Sequence, residues 1–125
     1  TGAERKLRVK EPQQLSEMIG ISSWYLMDEP ARSQATARLG QVKAAFAYRC
    51  AAYEYRLICE GHCDFAHYWK LMPWDHAAGL LIHAEAGGYA ACFDGTPYSP
   101  TRHQGGVLAA PNQDAWNALH QALVA

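Results

Sequence analysis

Short apolar runs and amphipathic stretches alternate along the chain. Leu7 and Val9 are interleaved with Arg8 and Lys10, the pattern of a half-buried strand, and Glu11-Pro12 ends it. Residues 13–18 read as a helical turn leading to Gly20. The run 21–27 is rich in β-branched and aromatic residues and stops at Asp28-Glu29-Pro30, which predicts a buried strand. A helix over 31–39 follows, closed by Gly40. Residues 42–48 read as a short strand entering a helix over about 49–60, with Gly61 as its C-cap. Residues 64–69 predict a strand and the stretch from Pro73 a helix stopped by Gly87-Gly88. Two more strands, 89–93 and 106–109, flank an Asp94-Gly95 turn, and Asn112 caps a last helix over 113–124. Strands alternating with helices predict an α/β layered sandwich, a mixed sheet flanked by helices.

With 125 residues, half of them hydrophobic, residues 1–125 are expected to form a single domain with its own core. Lys plus Arg number 11 against 12 Asp plus Glu, a net charge of -1. No global basic field therefore draws the chain to nucleic acid or an anionic membrane. No apolar run approaches the roughly 20 residues that cross a bilayer, and no signal-peptide pattern precedes the first strand, so a soluble cytoplasmic protein is expected. Cys50, Cys59, Cys63 and Cys92 could pair, but a domain of this size does not need staples and reduced thiols are expected. The opening on Thr1 rather than methionine leaves a natural start, a processed product and a piece of a longer polypeptide all open.

The helix from Pro73 carries the most suggestive chemistry. Proline suits a first helical position, and Ala78, Leu81, Ile82 and Glu85 follow at helical spacings. Asp75 falls in the first turn, where unpaired N–H groups and the positive end of the dipole favour an ionised carboxylate. Such a carboxylate is either a helix-start residue or a ligand for a hard cation. Ala77, Ala78 and Gly79 are small enough to let another segment pack close and fix Asp75.

From Trp74 to Gly88 the chain reads Trp-Asp-x-Ala-Ala-Gly-x-Leu-Ile-x-x-Glu-Ala-Gly-Gly. This resembles the second signature of the inositol monophosphatase family of magnesium-dependent phosphatases, and the chain from about Leu7 onward resembles the C-terminal half of such an enzyme. The resemblance implies that Asp75 binds Mg2+, that no catalytic residue beyond this ligand lies in the chain, and that the remaining metal ligands belong to an N-terminal half absent from it. Glu85 matches the motif's glutamate and is assigned a structural role.

Two departures from the family pattern bear on the substrate. Where the family has Gly-Ser or Gly-Thr before alanine, this chain has Arg49-Cys50-Ala51, and where many members have a substrate-binding glutamate it has Tyr68. Arg49, Cys50 and Tyr68 are therefore expected to face the alcohol portion of the substrate. A tyrosine cannot accept two sugar hydroxyls as a carboxylate does, and an arginine suits a second phosphate or a carboxylate. Lys70 is nearby and could meet an anion; an exposed lysine, and for Arg49 a surface or ion-paired arginine, are the plain alternatives.

Other constellations carry less. Cys59, His62, Cys63 and His67 offer soft ligands but lack a paired zinc knuckle, so buried thiols are the simpler reading. His76 and His83 lack the four-residue spacing of a shared ion and read as core or surface histidines. Asp94-Gly95-Thr96 copies the end of the family's first signature without the preceding Asp-Pro and reads as a turn.

The function expected is part of a magnesium-dependent phosphomonoesterase acting on inositol monophosphate or a related small phosphate ester. A sugar bisphosphate, histidinol phosphate and a nucleotide 3′-phosphate are alternative substrates. A non-catalytic binding or assembly module that kept the fold is the alternative of another class. The chain alone is expected to be inactive, and its expected partners are the phosphorylated substrate, the missing half and a second copy of itself.

Overall fold

Five short strands form one mixed sheet in the computed structural model, which describes residues 3–125. They are β1 (Ile19–Ser22), β2 (Ala44–Phe46), β3 (Phe65–Tyr68), β4 (Tyr89–Cys92) and β5 (Val107–Ala110), in the order β2-β1-β3-β5-β4. Strand β1 runs parallel to β2 and β3, with Ile21 opposite both Phe46 and Ala66. Strand β5 runs antiparallel to β3 and β4. Parallel neighbours need crossovers. Helices α1 (Ala31–Arg38) and α2 (Ala51–Cys59) lie in them, followed in the chain by α3 (Pro73–Glu85) and α4 (Gln113–Leu123). The C-terminal ends of β1, β2 and β3 consequently open on one edge of the sheet.

Side chains alternate across a strand, and here the alternation divides the core into two clusters. Val107 and Ala109 of β5, with Ala66 and Tyr68 of β3, pack with Tyr55 and Ile58 of α2 and Leu80 of α3. Leu108, Ala110 and Phe65 pack on the other face with Ala115, Trp116, Leu119, Ala122 and Leu123 of α4. Helix α4 begins where Asn112 Oδ1 accepts the Ala115 N–H at 2.8 Å, the cap its sequence predicts. Arg38, at the end of α1, donates to the Val124 carbonyl at 2.8 Å and ties α1 to the end of α4.

The α/β sandwich stands as expected, with three local corrections. Residues 7–9 are not a strand: among the described residues their one main-chain hydrogen bond is the Val9 N–H on the Ala86 carbonyl, and no strand pairs with them. The strand placed at 21–27 lies earlier, at Ile19–Ser22. There Ser23 Oγ accepts the Trp69 N–H, and Trp24–Leu26 turn in a 3-10 helix. Helix α2 begins at Ala51 rather than 49, because Arg49 adopts a left-handed backbone (φ 57°).

The buried face of α3 is His76, Leu80 and His83. Trp74, Ala78, Leu81 and Ile82 face outward instead of into this core. Gly79 meets α2: a Cβ there would collide with the Tyr55 ring. Gly61 and Gly87, both at positive φ, end α2 and α3 where the sequence places their stops. No helix among the described residues is long and apolar enough to cross a membrane.

Candidate active site

Ligands of open α/β sheets bind beyond the carboxyl ends of the strands, and this edge gathers the chain's functional candidates. Tyr25 follows β1, Arg49 and Cys50 follow β2, Tyr68 ends β3, and Asp75 follows it in the first turn of α3. Two cavities meet there, and Arg49, Cys50 and Asp75 line both. One, of about 520 Å³, is a groove between α2 and α3 bordered by Leu7, Trp74, Ala78 and Ile82. The other, of about 660 Å³, lies toward β1 and β3 and is lined by Tyr25, Arg32, Glu54, Tyr68 and Lys70.

Asp75 is exposed and enters none of the ion pairs of the described residues. Its oxygens are hard donors of the kind magnesium takes. No three His, Cys, Asp or Glu side chains come together as a ligand set among the described residues. The residues present thus fit one contribution to a magnesium site and do not enclose the ion.

The neighbouring His76 fixes the start of α3. The Lys70 carbonyl is acceptor-only, so His76 Nε2 carries the proton and donates to it at 2.8 Å, while Nδ1 accepts from the Tyr55 hydroxyl at 2.9 Å. Burial pushes the imidazole below the usual histidine range, against the opposing pull of the Lys70 carbonyl and the Asp75 charge. A neutral ring wedged between α2 and the β3–α3 connection holds Asp75 in place.

Tyr68 and Arg49 both line the larger cavity, in environments that the sequence does not show. Tyr68 is 5% exposed, and its hydroxyl donates to Glu54 Oε1 at 3.1 Å. Burial first, then the neighbouring Tyr55 and Glu54 charges, raise its pKa, which keeps it a neutral donor. The other Glu54 oxygen accepts the Tyr48 N–H at 2.8 Å. Glu54, 3% exposed, was missed in the sequence. Its signal was a carboxylate on the same helical face as Tyr55 and Ile58. The Arg49 guanidinium carbon lies 4.6 Å from the centroid of the Tyr25 ring.

The remaining candidates fall elsewhere. Cys59 and Cys63 are buried in the α2/α3 cluster, and His67 accepts or donates to Ser22 Oγ at 2.9 Å while stacking on Phe93. Asp94 closes the turn after β4, accepting from the Thr96 N–H at 3.0 Å and from Arg102 at 2.9 Å. Glu85 is exposed.

The family model described as "Inositol monophosphatase family" matches residues 1–125. The chain belongs to the inositol monophosphatase family. It is 30% identical over 117 residues to an inositol-1-monophosphatase of Caulobacter vibrioides, covering 90% of this chain and 45% of that protein. It is 33% identical over 99 residues to a fructose-1,6-bisphosphatase/inositol-1-monophosphatase of Thermotoga maritima, covering 72% of this chain and 34% of that one. The fold matches an inositol monophosphatase from Zymomonas mobilis with a TM-score of 0.83 at 20% identity, over 94% of this chain and 46% of that one. A staphylococcal IMPase-II matches at 0.79 and 23%, over 94% and 47%. The chain spans less than half the length of these members of the inositol monophosphatase family.

Proposed function

We propose that this chain forms the C-terminal half of a magnesium-dependent phosphomonoesterase, hydrolysing inositol monophosphate or a related small phosphate ester in the cytoplasm. The observation that carries this reading is the position of Asp75, an unpaired carboxylate inside the signature stretch and on the wall common to both cavities. Bound at such a site, magnesium neutralises phosphate charge and makes the attacking water more acidic. Asp75 contributes one ligand. Arg49 and Cys50 face the alcohol portion of the ester, and Tyr68 supports that wall from beneath through Glu54.

The other ligands come from the rest of the fold. The outer face of α3 supports this division, since Trp74, Leu81 and Ile82 are 80%, 65% and 45% exposed beside the groove. A contiguous apolar face of this kind suits a docking surface, and its occupant in this reading is the N-terminal half. The Thermotoga relative's double name lends weight to a sugar bisphosphate beside inositol monophosphate. Histidinol phosphate and a nucleotide 3′-phosphate remain further candidates, and a homodimer is a further assembly.

Phosphate release from inositol 1-phosphate, with magnesium and with EDTA, tests the reading in a polypeptide that joins this chain to the rest of its fold. Magnesium-dependent turnover by that protein, and little or none by the 125 residues alone, is expected. Robust turnover by the 125 residues, lost in Asp75→Asn, contradicts the division of ligands. The commitment of the Tyr68 hydroxyl to Glu54 favours a second reading, a non-catalytic binding module. Metal-indifferent association with a protein partner, without turnover in either form, would select it.

A further inference from the structure

The Asp75 carboxylate enters none of the ion pairs of the described residues, so its direction is that of the first turn of α3. The Asp75 N–H closes this turn on the Met72 carbonyl at 3.0 Å. Asp75 itself is exposed, whereas His76, the next residue, turns inward and is 3% exposed. Consecutive side chains on a helix stand about 100° apart, so fixing the His76 ring fixes the bearing of Asp75.

Hydrogen bonds at both nitrogens fix that ring. Nε2 donates to the Lys70 carbonyl at 2.8 Å, which leaves Nδ1 to accept, and the donor to it at 2.9 Å is the hydroxyl of Tyr55. Tyr55 comes from α2, twenty-one residues away in the chain. Its own ring is held on two sides: by the Tyr68 ring, with centroids 5.4 Å apart, and by Gly79 of α3, where a Cβ would collide with it. Helix α2 begins at Cys50, on the wall that Asp75 shares. The Tyr55 hydroxyl therefore ties the helix behind that wall to the turn that carries the carboxylate.

We propose that Tyr55 is a positioning residue for the metal ligand: through His76 it holds the Asp75 carboxylate in a single direction, and so sets the affinity for magnesium without contributing a ligand. This deepens the phosphatase reading and, as a statement about magnesium, rests on it. Losing a group bonded directly to a ligand weakens metal binding about 10–100-fold, and Tyr55 acts one residue further out, so Tyr55→Phe should weaken it about fivefold.

Two measurements test this. In the 125-residue chain in EDTA, long-range 1H–15N spectra should place the His76 ring proton on Nε2. Amide exchange at Asp75 should be about fivefold faster in Tyr55→Phe, the scale of one hydrogen bond. In the polypeptide that joins this chain to the rest of its fold, calorimetric titration with magnesium should show the fivefold weaker binding in Tyr55→Phe, with the KM for inositol 1-phosphate at saturating magnesium unchanged. Asn112→Ala, which loosens α4 on the other face of the sheet, should leave magnesium binding at the parent value. Adding Tyr55→Phe to His76→Leu should change binding no further, because both remove the same bond. Should His76→Leu fail to fold, the comparison with Asn112→Ala decides. Magnesium binding at the parent value in Tyr55→Phe, equal weakening by Asn112→Ala, or a His76 ring protonated on Nδ1 would overturn the assignment. Magnesium-dependent hydrolysis by the joined protein, with binding unmoved by Tyr55→Phe, removes the positioning role alone. Weakened binding in Tyr55→Phe, with no hydrolysis by the joined parent, removes the phosphatase reading alone.

Discussion

Replacing Gly79 by alanine tests the contact that holds α3, and with it Asp75, against α2. A Cβ at Gly79 would fall within the contact distance of Tyr55 Cγ and Cδ2, and 2.8 Å from Cδ1. Ordinary carbon contacts begin near 3.5 Å, so the ring or the helix must shift by roughly 1 Å. Tyr55 has little room to move, being 3% exposed, hydrogen-bonded to His76 and packed on Tyr68. Overpacking of this kind costs about 1–3 kcal/mol. Alanine in a helix interior returns about 1 kcal/mol relative to glycine. The net expectation is a loss of about 1 kcal/mol, from a range of about 0–2, a fall of about 0.7 M in the urea midpoint at an m-value near 1.5 kcal/mol/M. The second variant, Tyr55→Leu, removes the ring. The double mutant should lose less than the two single losses added, by about 1 kcal/mol. A Gly79→Ala protein as stable as the parent or more so, with additive losses in the cycle, would refute the close approach.

Three further outcomes follow from other parts of the molecule. Glu54→Ala leaves the Tyr68 hydroxyl and the Tyr48 N–H without their acceptor and should cost about 1–3 kcal/mol in thermal or urea unfolding, with Glu54→Gln nearer the parent; equal losses would contradict the buried acceptor role. Asn112→Ala should cost about 1 kcal/mol by loss of the α4 cap, checked by the same unfolding curves. Burial pushes His67 and His83 down to about 4 from an ordinary 6.5. The unfolded chain then binds more protons than the native one between these values, so their contribution to stability is complete above pH 6.5 and is lost as pH falls toward 4; a urea midpoint unchanged between pH 7 and pH 5 would contradict it.

Much of this fold was readable because local chemistry and tertiary structure agree. Gly61 and Gly87 stop α2 and α3 at positive φ, and Asn112 caps α4, as their residue types suggest. The alternation at Leu7 and Val9 misled because pattern alone does not supply a neighbouring strand. Trp24, Tyr25 and Leu26 have strand-like composition, yet they turn, and Tyr25 and Leu26 line the larger cavity instead of joining the sheet. Helix α3 is apolar on several sides, so periodicity did not distinguish the face of His76, Leu80 and His83 from that of Trp74, Leu81 and Ile82. At the site, Asp75, Arg49 and Cys50, all singled out in the sequence, line both cavities. The Glu54–Tyr68 hydrogen bond joins residues fourteen apart on different elements, a contact that a one-dimensional pattern does not carry.

The most direct test of the account is the Asp75→Asn substitution in the polypeptide that carries the rest of this fold, assayed for magnesium-dependent phosphate release from inositol 1-phosphate. Removal of a metal-ligating carboxylate should lower kcat/KM by about a hundredfold or more, the scale of lost transition-state charge stabilisation. The circular dichroism spectrum should stay that of the parent, because Asp75 forms no ion pair with the described residues. Undiminished turnover in Asp75→Asn, at the parent's magnesium requirement, would contradict the assignment of Asp75 as a ligand.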